Sequence, residues 1–255
     1  FNICQFIRTM PKLMLPSYDR TAVFFNDDTL GSRNHDGPTE MHDNIEACYT
    51  LLGPVARSWF KFIDSPQLLS NPSLATSFDT IYLPIAEYQR PEIIDRLSDF
   101  VAAGGTLVCG DPAVWRTDHL GNSTISERTQ LFGVTVGSQI GSATMTPVNP
   151  ALGGPLTIFD DAYRLTPAGG TQVLATYSDG SAAVTENAFG AGRAILFGSN
   201  PFILGHVTQD DWRSFFTAWV QSLGGPTDLD IWRFKLPENL IWEEPVQPGV
   251  CLSNN

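Results

Sequence analysis

Phe78–Asp111 reads FDTIYLPIAEYQRPEIIDRLSDFVAAGGTLVCGD, and its punctuation decides the fold. Ile81, Tyr82 and Leu83 form a short apolar run closed by Pro84, the pattern of a buried strand. Pro91 then opens a helix, where its missing N–H costs nothing, with Glu92 and Asp95 near the positive end of the dipole. Ile93, Ile94, Leu97, Phe100 and Val101 fall on one stripe of a 3.6-residue period. Gly104 and Gly105 are expected to stop the helix in the left-handed conformation. Thr106 to Cys109 is a second buried strand, ended by Gly110 and Asp111. Two such strands joined by one amphipathic helix make a right-handed βαβ unit in a parallel sheet. This is the centre of an open α/β domain.

Upstream, Thr21–Phe25 reads as the first parallel strand, ending in Asn26, Asp27 and Asp28. A polar stretch from Thr29 to Glu40 is expected as a long βα loop, a kind of segment that tends to carry function. A helix around Ile45–Leu52 should stop at Gly53 and Pro54, and Trp59–Ile63 should be strand two. Downstream, Pro112 to Ser123 forms a second loop with Trp115, Arg116 and His119, followed by a short helix over Ser126–Phe132. From Val134 to Thr185 short alternating runs are separated by Gly153-Gly154, Gly169-Gly170 and Asp179-Gly180, which predicts antiparallel hairpins. Gly190, Gly192 and Arg193 are read as a hairpin turn, because no helix follows as a phosphate loop would require. Ala194–Phe197 is a late buried strand. A last helix, capped by Thr208 with Asp211 at N3, buries Trp212, Phe215, Phe216, Trp219 and Leu223 and stops at Gly224.

These readings divide the chain into a connector (1–19), an α/β domain (20–224) and an extended strap or linker (225–255) with Pro226, Pro237, Pro245, Pro248, Trp232 and Trp242. With 255 residues and 42% apolar content the chain can bury a sizeable core. Its net charge of −12, with Lys12, Lys61 and Lys235 as its lysines, disfavours a nucleic-acid partner. It lacks an apolar segment long enough to span a membrane. Cys4, Cys48, Cys109 and Cys251 have no C-x-x-C spacing, and Cys48 and Cys109 read as buried small hydrophobes. Low lysine content and a sequon at Asn122-Ser123-Thr124 point to export, extracellular or periplasmic. Phe1 is no initiator, so the expectation is a processed chain or a piece of a longer one.

Ala102–Asp111 (A-A-G-G-T-L-V-C-G-D) and the later G-x-G-R-A-I-L-F-G-S-N-P of Gly190–Pro201 resemble the class I glutamine-amidotransferase-like fold. More closely, Arg20 to Leu223 resembles the trimerisation domain of family 42 β-galactosidases and their multidomain relatives. The resemblance implies an open, mainly parallel, flavodoxin-like or amidotransferase-like sheet with helices on both faces and an inserted antiparallel hairpin region. It also implies that the catalytic carboxylates lie on a preceding barrel, and that this domain supplies self-association and closes a neighbouring catalytic barrel. No cofactor is implied.

An active amidotransferase needs a cysteine at a strand–helix elbow and a His-Pro-Glu after a late strand. Cys109 stands near the first position, but Gly110, Asp111 and Pro112 follow it, and Asn200, Pro201 and Phe202 occupy the second. Asn200 cannot act as a base and Phe202 cannot orient one, which leaves His206 as the only nearby substitute. Asp27, Asp28 and Asp111 end strands on the side where open α/β sheets bind ligands, so they are candidates for a divalent cation or, more blandly, for helix caps. Trp115, Arg116 and His119 with Asp111 make a polar-aromatic group suited to an oligosaccharide, or to an interface plugged by the indole. The function expected is therefore a non-catalytic assembly domain of an exported glycoside hydrolase. The rivals are an independent amidase or hydrolase using Cys109 or a metal at the three aspartates, and a stand-alone carbohydrate-binding or structural module.

Overall fold

Side chains alternate along the strands, and each inner strand of the parallel half feeds two cores. The computed structural model describes residues 20–32, 37–58, 60–71, 73, 75–141, 143–224, 229–234 and 249–254. On β1 (Thr21–Phe25), Ala22 and Phe24 join one apolar cluster while Val23 joins the other. β3 (Thr80–Leu83) splits in the same way, with Ile81 and Leu83 on one face and Tyr82 on the opposite one. Both faces must therefore be covered, and helices cover both.

The first face carries α1 (Asp27–Ser32) leading into α2 (Gly37–Thr50), and the second carries α3 (Ser65–Ser70), which follows β2 (Lys61–Asp64). α4 (Pro91–Ala102) lies on the second face and buries Ile93, Ile94, Leu97, Phe100 and Val101, the whole stripe read from sequence. β4 (Thr106–Cys109) follows and pairs in parallel with β3 from Thr80↔Thr106 to Leu83↔Cys109. Gly104 takes a φ of 117°, but Gly105 does not; it is needed because a Cβ there would run into the Phe100 ring.

α5 (Ile125–Phe132) ends at Gly133 in the left-handed region, and then come β5 (Val134–Ile140), β6 (Thr144–Pro147), β7 (Leu156–Thr157), β8 (Ala162–Pro167), β9 (Gln172–Tyr177), β10 (Ala182–Phe189) and β11 (Gly192–Phe197). Among the described residues these strands form one sheet in the order β2-β1-β3-β4-β11-β10-β9-β6-β7, with β8 joining β10 to β5. β11 is the seam, parallel to β4 on one side and antiparallel to β10 on the other. The hairpin region, inserted in sequence between the parallel neighbours β4 and β11, continues the same sheet. The turn at Gly190–Gly192 tucks under the end of α4, where Ala191 donates to the Ala102 carbonyl at 2.9 Å and a Cβ on Gly192 would overlap the Val101 and Gly105 carbonyl oxygens. α6 (Leu204–Val207) and α7 (Asp210–Ser222) close the first face with Trp212, Phe215, Phe216 and Trp219.

Four local expectations change. Of the loop expected over Thr29–Glu40, residues 29–32 and 37–40 are helix, and residues 33–36 lie outside the described residues. α2 does not stop at Gly53 and Pro54 but widens into a π turn over Leu51–Val55, with Ala56 N–H donating to Leu51 O at 2.9 Å. In α-helical geometry the Pro54 ring would meet the Thr50 carbonyl, and a wider turn relieves that clash. β2 begins at Lys61 instead of Trp59, itself outside the described residues; Phe60 stacks edge-on between Tyr49 and Phe62 before the strand starts. Gln209, not Thr208, precedes α7; the Thr208 hydroxyl closes α6 by donating to Gly205 O at 3.3 Å. Of the two terminal segments, the connector lies outside the described residues. The C-terminal segment is described only as an antiparallel pair, β12 (Leu229–Phe234) with β13 (Gly249–Asn254).

Candidate functional site

In an open α/β sheet the binding crevice lies at the carboxyl ends of the strands, where the strand order reverses. Here the reversal falls between β1 and β3. The chain fills that crevice with its own β3–α4 loop. Asn26 Nδ2 donates to Tyr88 O at 3.2 Å, and its Oδ1 accepts from Thr29 N–H at 3.0 Å. The Thr29 hydroxyl donates to Tyr88 O and accepts from Tyr88 N–H at 2.9 and 3.1 Å.

The three aspartates do not converge. Asp28 accepts from Gln89 Nε2, Arg90 N–H and Arg90 Nε at 2.9, 2.9 and 3.0 Å. Asp27 accepts from Ser65 N–H at 3.3 Å and lies 3.6 Å from the Arg90 guanidinium. Asp111, beyond β4 and two strands further on, accepts from Ala86 N–H and Ala113 N–H at 2.8 Å each. Among the described residues no three His, Cys, Asp or Glu side chains group as a metal site would require. Arginine beside Asp27 and Asp28 already supplies the positive charge there.

Trp115 is not a displayed aromatic. Its backbone takes a φ of 49°, its N–H donates to Ala86 O at 2.8 Å, and its ring is fully buried against Phe132 at 5.6 Å. The turn at Trp115 throws the side chain into the core shared by α5 and β4, so the indole has no open face for a sugar. Arg116 goes outward instead, bonded to the buried Glu87 carboxylate at 2.5 Å and lying over the Tyr88 ring at 5.9 Å. His119 is exposed beside it. Asp118 shapes this loop: its carboxylate accepts from Leu120 N–H, Asn122 N–H and Asn122 Nδ2, each at 2.8 Å, and those bonds hold it below the usual carboxylate range.

The amidotransferase positions have become structural. Cys109 is fully buried, and burial pushes its thiol well up, away from the thiolate that nucleophilic attack needs. Asn200 donates from Nδ2 to Pro84 O and accepts from Phe202 N–H, both at 2.9 Å. Phe202 is buried edge-on to Tyr82 and beside Phe216. His206 stacks on Trp212 at 4.0 Å, donating from Nδ1 to Pro201 O and accepting on Nε2 from Phe159 N–H. Burial lowers it to about 4, so it stays neutral at physiological pH. A neutral imidazole with both nitrogens engaged inside a core is not a base in reach of a substrate.

Sequence reasoning missed Glu87, Tyr88, Asp118 and Arg128. The polar Glu87–Arg90 stretch between two structural prolines was a usable signal for the first two. Nothing in the helical pattern of Ile125–Phe132 marked Arg128 as 7% exposed and depressed by desolvation.

Comparison with known proteins agrees with this geometry. No curated protein matches the chain by sequence. Among solved structures, an exo-β-1,4-mannosidase from Opitutaceae bacterium strain TAV5 superposes with a TM-score of 0.63 at 19% identity, over 86% of this chain and 38% of that one. A β-galactosidase from the Antarctic haloarchaeon Halorubrum lacusprofundi gives 0.62 at 18% identity, over 94% and 41%. A cytoplasmic protein of Salmonella typhimurium LT2 gives 0.55 at 11%, over 80% of this chain and 99% of that one. The first β-galactosidases matched are spanned over only 32% of their length. At such identities these likenesses speak for the fold alone. The family model for the β-galactosidase trimerisation domain matches residues 70–223, which is more than half of the chain and runs from the last turn of α3 to just past α7. The chain belongs to the β-galactosidase trimerisation domain family.

Proposed function

We propose that the chain is the assembly domain of a multidomain glycoside hydrolase related to family 42, joining copies and covering the edge of a catalytic barrel carried elsewhere in the parent protein. The observation that carries this reading is the carboxyl edge itself. Each group that a ligand would use there, from Asn26 and Asp28 to Asp111 and Asn200, is bonded to the protein's own loops. Strand order β2-β1-β3-β4 followed by a parallel β11 supports the flavodoxin-like, amidotransferase-like naming of the fold. Removing residues 20–224 from the parent should dissociate its oligomer and lower glycoside hydrolysis. A truncated parent that keeps its mass and its rate would refute the reading.

A second reading has one specific observation in its favour. Glu87, the half-buried Tyr88 and the exposed Arg116 and His119 form an acceptor, ring and donor set at the open rim, of the kind that contacts sugar hydroxyls. On this reading the rim touches an oligosaccharide bound in the neighbouring barrel. Arg116→Ala should then raise KM for an oligosaccharide without changing the oligomer. Export is part of the same proposal, supported by the exposed sequon residue Asn122; peptide mapping of the secreted protein for a glycan at Asn122 tests it.

A further inference from the structure

A guanidinium keeps its proton inside a protein, so a buried arginine has to be matched by an opposite charge and by acceptors for its five N–H groups. Arg128 has neither. It stands on α5, on the face of the sheet that α4 also covers, and is 7% exposed. Among the described residues its guanidinium makes no hydrogen bond and no ion pair. Nε is the one of its nitrogens that is wholly enclosed, which leaves the Nη edge facing the narrow opening that accounts for the 7%. Burial pulls the group below its usual range, as expected of a charge held without compensation.

The groups nearby are committed elsewhere. Glu127, the neighbour in sequence, is exposed and accepts from the Ser126 hydroxyl at 2.6 Å. Asp111 favours the charged guanidinium from a distance, but its carboxylate is bonded to Ala86 N–H and Ala113 N–H. Thr124, one turn back on the same side of the helix, donates its hydroxyl to Trp115 O at 2.7 Å. The Trp115 ring packs on Phe132, one turn ahead, and its Nε1 is a second enclosed donor without a partner. The layer between α5 and β4 therefore carries two buried donors in excess of its acceptors.

The chemistry of the donors narrows what could fill them. A guanidinium edge takes two coplanar oxygens at once, which is the geometry of a carboxylate. At 7% exposure the edge lies too deep for a side chain carried on another folded surface, so a free small molecule is required. Asp111 close by, and a net charge of −12 over the chain, weigh against a ligand with two negative charges.

We infer that Arg128 is a binding site for a small monocarboxylate of the size of formate or acetate, held on the Nη edge of the guanidinium. The site is independent of the assembly reading above. Formate titrated calorimetrically into the full chain, at ionic strength held constant with sodium chloride, should give a saturable heat with one site per chain. Inorganic phosphate should bind more weakly. Arg128→Met should abolish the heat, and Arg128→Lys, which keeps the charge but loses the two-pronged edge, should weaken it. Formate should raise the wild-type melting temperature and leave that of Arg128→Met in place. Without formate the methionine variant should melt at or above wild type, because it removes an unmatched buried charge. Should that variant fail to fold, the Nε–H resonance of Arg128 in the wild-type chain locates the site: it should move with the same midpoint as the heat. No saturable heat with formate, an unmoved Nε–H resonance, or an equal rise in melting temperature in wild type and Arg128→Met would each overturn the inference. Phosphate binding more tightly than formate would overturn the choice of a monocarboxylate.

Discussion

Lowering the pH from about 7 to about 5 should cost this domain about 2 kcal/mol, and one side chain accounts for it. His206 is fully buried, and burial takes it from the ordinary 6.5 to about 4. The Pro201 carbonyl and Asp211 oppose burial without overcoming it, while the bond on Nε2 acts with it. Nε2 accepts from Phe159 N–H, so a second ring proton would set two donors against each other. The unfolded chain binds a proton below 6.5 while the folded one does not, so stability is complete above that value and drains away as pH falls towards the folded value. The whole shift is worth roughly 3 kcal/mol, and about 2 kcal/mol of it is gone by pH 5. For a domain of this size that is a fall in Tm of about 4–8 °C. Asp79, Asp118 and Asp179 are held below 3.8 and release their contribution at lower pH, which among the described groups with a shift leaves this window to the histidine. Thermal melts at closely spaced pH values would measure the fall, with His206→Phe as the control. The variant starts lower, because Phe159 N–H and Pro201 O lose their partner, but it should melt at nearly the same temperature at pH 7 and pH 5. An unchanged pH slope in the variant, or an imidazole resonance assigned to His206 that titrates near 6.5, would refute the reasoning.

Gly192→Ala should destabilise by about 1–3 kcal/mol, because its Cβ overlaps two backbone carbonyls at the end of α4, whereas Gly169→Ala, with open space around it, should be close to neutral in a urea titration. Asn200→His, which restores the histidine of the amidotransferase pattern, should yield no ammonia from glutamine and should lose about 1–3 kcal/mol, since Pro84 O and Phe202 N–H are left inside without their partner; glutamine turnover that also depends on Cys109 would contradict this. Millimolar Ca²⁺ or Mg²⁺ should leave the melting temperature in place, because Arg90 already occupies Asp28 and Asp111 is engaged elsewhere; a saturable rise lost in Asp111→Asn would reverse that view.

The βαβ unit at Phe78–Asp111 was legible because three independent signals coincide there: short continuous apolar runs, an apolar stripe with period 3.6, and proline and glycine at the element ends. Where one signal stood alone, it misled. Gly53 and Pro54 look like a stop, yet packing of Leu51 and Leu52 into the core carries the helix past them in π form. Thr208 is a good cap by type, but its hydroxyl serves the preceding turn. Trp115 was placed by sequence in a polar loop, and only its positive φ, set by the bond to Ala86 O, sends the ring inward. Sequence patterns encode which residues prefer burial, and they encode poorly which way a single irregular backbone turn points.

The same irregular turns fill the crevice at the switch point with the chain's own hydrogen bonds. An open crevice needs polar groups with unfilled hydrogen-bonding capacity at the strand ends. Here Asn26 and Thr29 hold the Tyr88 backbone, Asp111 holds Ala86 and Ala113, and Asn200 holds Pro84 and Phe202. These bonds tie β1, β3, β4 and β11 together at one end, a rigid plate in place of a cleft. A ligand entering there would have to break several buried bonds and replace each of them, at about 1–3 kcal/mol for every group left unmatched. Loops anchored on that end, such as Arg116–Asn122, are held in one conformation by bonds like those to the Asp118 carboxylate. Cys109, buried at the end of β4, and Asn200, spanning Pro84 and Phe202, are parts of that plate and not a reactive pair.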